Sequence, residues 1–101
     1  MGFISDLIKS GSKTEELLEK GAKVIDVRSP EEFQSGHVPD SINIPLDQIS
    51  KNLDRLEKLD SPLVLCCASG FRSGRAVGYL KAKGFECSNG GSWSRVKDLL
   101  S

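Results

Sequence analysis

No apolar run in this chain approaches the ~20 residues that span a bilayer, so no transmembrane helix is expected. The opening stretch MGFISDLIKS lacks the basic n-region and long apolar h-region of a signal peptide. Ser5 falls one place too early for a myristoylation pattern. Aromatics make up only 6% of the residues and there is no basic run, which argues against nucleic acid as a partner. There is a single histidine, and of the three cysteines Cys66 and Cys67 are adjacent, so metal-ligand spacing is missing. Three cysteines cannot all pair, which excludes a disulfide scaffold. Their usage suits a reducing compartment and a working thiol. The cytoplasm is such a compartment; the periplasm is the alternative only for a chain whose signal was removed before numbering begins. Repeats, low-complexity stretches and interdomain linkers are also missing.

What is present fits one domain: 101 residues, 38% hydrophobic and 28% charged. The net charge of zero is unevenly spread. Residues 1–61 carry 8 Lys and Arg against 12 Asp and Glu, a balance of −4, and residues 62–101 carry 6 against 2, a balance of +4. The positive half contains CCASGFRSGR and mildly favours a small anionic ligand there. No surface helix shows an unexplained apolar stripe, so a monomer is expected.

Phe3, Ile4, Leu7 and Ile8 have helical spacing up to Gly11. Ser12 to Glu15 form a capping-box pattern that opens a helix containing Leu17 and Leu18 and closing at Gly21. KVIDVR (23–28) reads as a strand. Ser29-Pro30-Glu31-Glu32 is a second capping box, with proline at the first helical position, opening a short helix that carries Phe33 and ends near Gly36. SINIP (41–45) reads as a short strand. Ile49, Leu53, Leu56 and Leu59 predict a helix over about 47–59, stopped by Pro62. LVLCC (63–67) has no polar alternation, as in a central parallel strand covered on both faces. A helix is predicted over 72–83, with Ala76, Val77 and Leu80 inward, and a last strand around FECS (85–88). A Gly90-Gly91 turn and a terminal helix with Trp93, Val96, Leu99 and Leu100 follow. Strands alternating with helices on this scale imply an α/β domain with a parallel sheet. Ligands then bind beyond the strands' carboxyl ends, where LVLCC stops.

A cysteine at that strand end is followed by Ala68, Ser69, Gly70 and Phe71, then Arg72 and Ser73 at a helix start. Such a loop can turn successive backbone N–H groups toward one point, helped by the helix dipole. A thiol held there loses its proton more readily and becomes a nucleophile at neutral pH. Arg72 closes the loop and either holds an anion or braces the loop. Alternation along the strand leaves Cys66 on a face packed against a helix.

The stretch Cys67-Ala-Ser-Gly-Phe-Arg-Ser73 resembles the active-site loop of the rhodanese (thiosulfate sulfurtransferase) family. IDVRSPEEFQSGHVPDSINIP (25–45) resembles that family's upstream signature, and GGSW (90–93) its C-terminal turn. The resemblance runs from about Val24 to the end of the chain. It implies a rhodanese-like α/β fold, with a four- or five-stranded, mainly parallel sheet flanked by helices on both faces. Residues 1–101 would form a single such domain, with 1–22 a helical segment less typical of the family. It further implies sulfane-sulfur transfer from a small anionic donor such as thiosulfate to a thiophilic acceptor through a Cys67 persulfide, with no metal or organic cofactor. The acceptor is cyanide in vitro and a thiol or protein in the cell.

Four residues separate Cys67 from Arg72, whereas cysteine phosphatases, including those on rhodanese-like folds, have five. Counting from Cys66 gives five, but the family pattern C-x-S-G-x-R-S aligns only with Cys67. The alternatives are a persulfide carrier in a protein relay, a cysteine phosphatase or arsenate reductase, and a non-enzymatic binding module.

Asp26 and Arg28 share the sheet rim with the loop. Either Asp26 accepts loop hydrogen bonds and Arg28 sits at the pocket mouth, or the two form an ordinary strand-end charge pair. His37 lies in GHV, which in this family is a structural turn element rather than a base. Cys87 reads as core. Trp93 reads as a packing anchor or pocket wall, and Arg75 as added positive potential or a solvated side chain. The loop carries no cation besides Arg72, and Phe71 either narrows the entrance or contacts an acceptor.

Overall fold

The computed structural model describes residues 12–101. The helix expected over Phe3–Ile8, its stop at Gly11 and the side-chain cap at Ser12 lie outside the described residues. The elements run α1 (Ser12–Glu19), β1 (Lys23–Asp26), α2 (Pro30–Gln34), β2 (Ile42–Asn43), a 3₁₀ helix (Leu46–Asn52), α3 (Leu53–Lys58), β3 (Leu63–Cys67), α4 (Phe71–Ala82), β4 (Cys87–Ser92) and α5 (Trp93–Leu100). The strands form a four-stranded sheet of order β2-β1-β3-β4, every pairing parallel. No helix among the described residues is long and apolar enough to cross a membrane.

β3 is buried at all five positions. Its period-two alternation divides the core in two. Leu63, Leu65 and Cys67 face one layer with Ala76, Val77 and Leu80 of α4, Ile49 and Leu56. Val64 and Cys66 face the other with Leu17 of α1, Val38 and Val96 of α5. Cys66 is therefore fully buried under helices, as alternation requires. The α1 helix docks on β4 through a buried hydroxyl pair, Thr14 Oγ1 and Ser88 Oγ at 2.6 Å.

Two expectations are corrected. The helix predicted over 47–59 is two pieces, a 3₁₀ segment and then α3. Leu46 and Ile49, three apart, stack in a helix of three residues per turn. The Asn52 amide, donating to the Gln48 carbonyl at 2.8 Å, marks the change. Second, Gly90-Gly91 is no turn. The pair lies within β4, where a bulge skips Gly90 so that Leu65 faces Asn89 and Cys66 faces Gly91. Glycine is needed there for close packing. A Cβ on Gly90 would fall 2.6 Å from Val96 Cγ2 and 2.9 Å from Val64 Cγ1.

Candidate active site

Cys67 ends β3, and Gly70 caps α4 with φ +98°, a left-handed conformation that favours glycine. A side chain at Gly70 would also press on the Gly91 Cα, 3.1 Å from its Cβ, so the apex of the loop rests on the bulge of β4. The curl turns the loop toward sulfur. The Gly70 N–H donates to Cys67 Sγ at 3.0 Å and the Ser73 N–H at 3.4 Å, with Ser73 Oγ also 3.4 Å away. Burial by itself would push this thiol up. Hydrogen bonds from Ser73, through its side chain and its N–H, and from the Ser69 and Gly70 N–H groups outweigh that, and the thiol lies below its ordinary value. The start of α4 adds the positive end of its dipole. The neighbouring Cys66 is the reverse case: burial drives it up to about 12, with the Asp26 charge adding to the rise. Cys67 is only 1% exposed, enclosed by the loop rather than standing free on the rim, while Ala68 and Ser69 are exposed.

Arg72 braces the loop from outside. Its guanidinium holds Glu32 through Nη1–Oε1 at 2.8 Å and Nη2–Oε2 at 3.0 Å. Glu32 also completes the capping box of α2, with Oε1 accepting the Ser29 N–H. Arg72 and the Ser29 N–H hold the Glu32 carboxyl down at about 2, and Glu32 in turn raises Arg72. Sequence reasoning found Glu32 as a cap but not as the partner of Arg72, forty residues away.

Asp26 and Arg28 are a buried pair, 0% and 4% exposed. The Asp26 carboxylate accepts from the Arg28 backbone N–H, Nε and Nη2, so it does not serve the Cys67 loop. Arg28 is correspondingly not at a pocket mouth. Its Nη2 donates to the Gly36 carbonyl at 2.7 Å, and its guanidinium lies 4.9 Å from the Trp93 ring centroid. Trp93 is a packing anchor against Gly36 and the second core layer. His37 is exposed, stacked on Phe33 with Nδ1 2.7 Å from the Phe33 carbonyl oxygen. Cys87 is buried in the core, and burial raises its thiol.

A cleft of about 600 Å³ opens beside the loop between Ser29, Pro45, Leu46, Arg72, Arg75 and Tyr79. Phe71 is not in its wall. It stands 75% exposed at the first residue of α4. Asn89 was missed entirely. Its amide donates to the Gly70 carbonyl at 3.0 Å and accepts the Ser73 hydroxyl at 2.7 Å. No local pattern in CSNGG marks it.

The rhodanese-like domain family matches residues 10–97. Over 69 residues the chain is 42% identical to the thiosulfate sulfurtransferase GlpE of Pseudomonas syringae, covering 68% of this chain and 64% of that protein. It is 32% identical to the putative sulfur carrier protein YrkF of Bacillus subtilis, over 67% of this chain and 36% of that one. The aligned region thus spans less than two thirds of these relatives. The crystal structure of a rhodanese-related protein from Thermoplasma volcanium superposes with a TM-score of 0.70 at 34% identity, covering 84% of this chain and 88% of that one. With four parallel strands, a thiol at the end of the central strand and the match over residues 10–97, the chain belongs to the rhodanese-like domain family.

Proposed function

We propose that the chain is a sulfurtransferase that carries sulfane sulfur on Cys67 as a persulfide. The observation that carries this reading is the convergence of the Gly70 and Ser73 N–H groups on Cys67 Sγ. These donors favour an anionic sulfur before and after transfer. The thiolate attacks the outer sulfur of a donor such as thiosulfate. The S–S bond breaks, sulfite leaves with the electron pair, and Cys67 keeps a persulfide anion. A thiophilic acceptor then attacks the terminal sulfur and restores the thiolate; with cyanide the product is thiocyanate. The activities in the names of GlpE and YrkF support this class of chemistry.

The phosphatase alternative fits less well. Arg72 is engaged by Glu32 outside the loop instead of facing an anion within it, and the loop is one residue short. Phe71 favours a second reading within the same chemistry. An exposed aromatic beside the loop suits contact with a protein acceptor, as in a sulfur relay.

Intact mass spectrometry after thiosulfate treatment tests the proposal. One added sulfur, about 32 Da, is expected on Cys67, removable by cyanide and lost in Cys67→Ser. An adduct that survives Cys67→Ser but vanishes in Cys66→Ser overturns the assignment. No adduct from any sulfane donor overturns the function, and hydrolysis of an aryl phosphate turns the reading to the phosphatase. Faster discharge to a protein thiol than to cyanide selects the relay.

A further inference from the structure

Asn89 lies on β4, outside the loop, yet three hydrogen bonds tie its side-chain amide to the catalytic neighbourhood. Nδ2 donates to the Gly70 carbonyl at 3.0 Å, and Oδ1 accepts the Gly91 N–H at 3.0 Å and the Ser73 hydroxyl at 2.7 Å. The two backbone partners decide which end of the amide is which. Reversed, it would set oxygen against the Gly70 carbonyl and an NH₂ against the Gly91 N–H. The seat is also built for it. A Cβ on Gly74 of α4 would come 3.1 Å from Nδ2, so a glycine inside a helix, ordinarily a cost of ~1 kcal/mol, makes room for the amide.

With Oδ1 fixed, Ser73 Oγ must donate to it, and a hydroxyl has one proton to give. Ser73 Oγ therefore meets Cys67 Sγ, 3.4 Å away, with a lone pair. That suits the thiol, whose S–H can point at the oxygen. A thiolate needs a donor instead. Ser73 is fully buried, so its oxygen stays in place while the O–H turns about Cβ–Oγ. The competition is between a neutral amide at short range and a charged sulfur at longer range, and charged acceptors bind roughly twice as strongly.

We propose that Asn89 is a positioning residue that sets the direction of the Ser73 hydroxyl, holding its proton away from Cys67 in the thiol and yielding it to Sγ in the thiolate. No covalent bond to Ser73 changes. The thiol proton leaves to solvent, and the Ser73 proton stays on Oγ and turns. Asn89 thus acts on Cys67 in two opposed ways. Through Ser73 it withholds a donor and disfavours the thiolate. Through Gly70 it steadies the loop whose N–H groups favour it.

The opposed signs make the proposal testable. The rate of Cys67 alkylation by iodoacetamide, located by fragmentation of the labelled peptide, is followed over about pH 5 to 10, the range around an ordinary thiol. Cys66 on the same strand, the Asp26–Arg28 pair on the β1 side, Arg72 on α4 with Glu32 on α2, and Arg95 on α5, held on the Gly90 carbonyl, are the neighbouring charged or titratable groups. Glu32 and Cys66, at about 2 and about 12, lie outside that range. In Asn89→Leu the released hydroxyl turns to sulfur. The midpoint is expected to move down and the rate below it to rise about three- to tenfold. In a Ser73→Ala background the same substitution is expected to give no downward movement. A midpoint that rises or stays in Asn89→Leu, or falls equally in both backgrounds, overturns the proposal. Asn89→Ala at this exposed position gives the same reading should the leucine variant not fold. Alkylation needs no sulfur donor, so this result stands apart from whether sulfur is transferred.

Discussion

Arg72 and Glu32 meet through two parallel hydrogen bonds of 2.8 and 3.0 Å, joining the end of the Cys67 loop to the cap of α2. The contact is bidentate, so it fixes direction as well as distance. It converts the arginine from an anion ligand in waiting into a strut between two elements, and it makes Glu32 part of two structures at once.

Glu32→Gln is expected to lower stability by about 0.5–1 kcal/mol, a modest figure because both side chains are more than a third exposed and solvent screens the pair. The pH dependence has a definite sign. Glu32 is depressed to about 2 in the fold against ~4.3 unfolded, so its contribution is whole above ~4.3 and fades as pH falls toward 2. Urea midpoints of the wild type and Glu32→Gln should converge across that window and separate above it. Curves that stay parallel down to pH 2 would remove Glu32 from the acid response.

Asp26→Asn is expected to cost about 3 kcal/mol, since it leaves the Arg28 charge buried without its counter-charge. Arg28 lies over the single tryptophan, Trp93, so the emission of that residue should shift with the loss. Chemical denaturation followed by fluorescence measures both. An unchanged midpoint would mean that solvent reaches the pair.

Gly90→Ala and Gly78→Ala should move stability in opposite directions. The first drives a methyl into Val96 and Val64 and is expected to destabilise by about 1–3 kcal/mol. At Gly78, within α4, a Cβ meets nothing within 4 Å, and alanine there should stabilise by about 0.5–1 kcal/mol. Thermal melts of the two variants decide the matter, and a stable Gly90→Ala protein would contradict the close packing of the bulge.

The two adjacent thiols should differ sharply in reactivity. Cys67 is lowered by its hydrogen bonds and Cys66 is raised to about 12 by burial. Near neutral pH, iodoacetamide should label Cys67 in the native protein and leave Cys66 untouched until unfolding. Cys66→Ala should keep the Cys67 labelling rate within about twofold, at a stability cost of about 1 kcal/mol. Fragmentation of the labelled peptide checks the site and rate, urea denaturation checks the stability, and native labelling of Cys66 would reverse the assignment of the pair.

Much of this protein was legible along the chain because its signals are local. The Ser29 capping box needs only four consecutive residues, and it forms as written. The continuous apolar run LVLCC specifies a strand covered on both faces, and strict alternation sends Cys66 and Cys67 to opposite layers. The small-residue loop before α4 marks where N–H groups can gather. The partners could not be read, because each is chosen by elements that meet only in the folded sheet. Parallel pairing brings β4 alongside β3 and so sets Asn89 beside Ser73, and it makes a bulge of two glycines whose composition signals a turn. The fold brings Glu32 of α2 to Arg72 at the start of α4 and so gives the arginine its carboxylate, and burial turns Asp26 and Arg28 to each other instead of to the loop. Side-chain alternation acts over a few residues and, together with the C-x-S-G-x-R-S pattern that aligns only with Cys67, let the sequence by itself point to the thiol that ends the central strand. Which groups surround that thiol depends on contacts up to forty residues apart, and only the tertiary structure decided them.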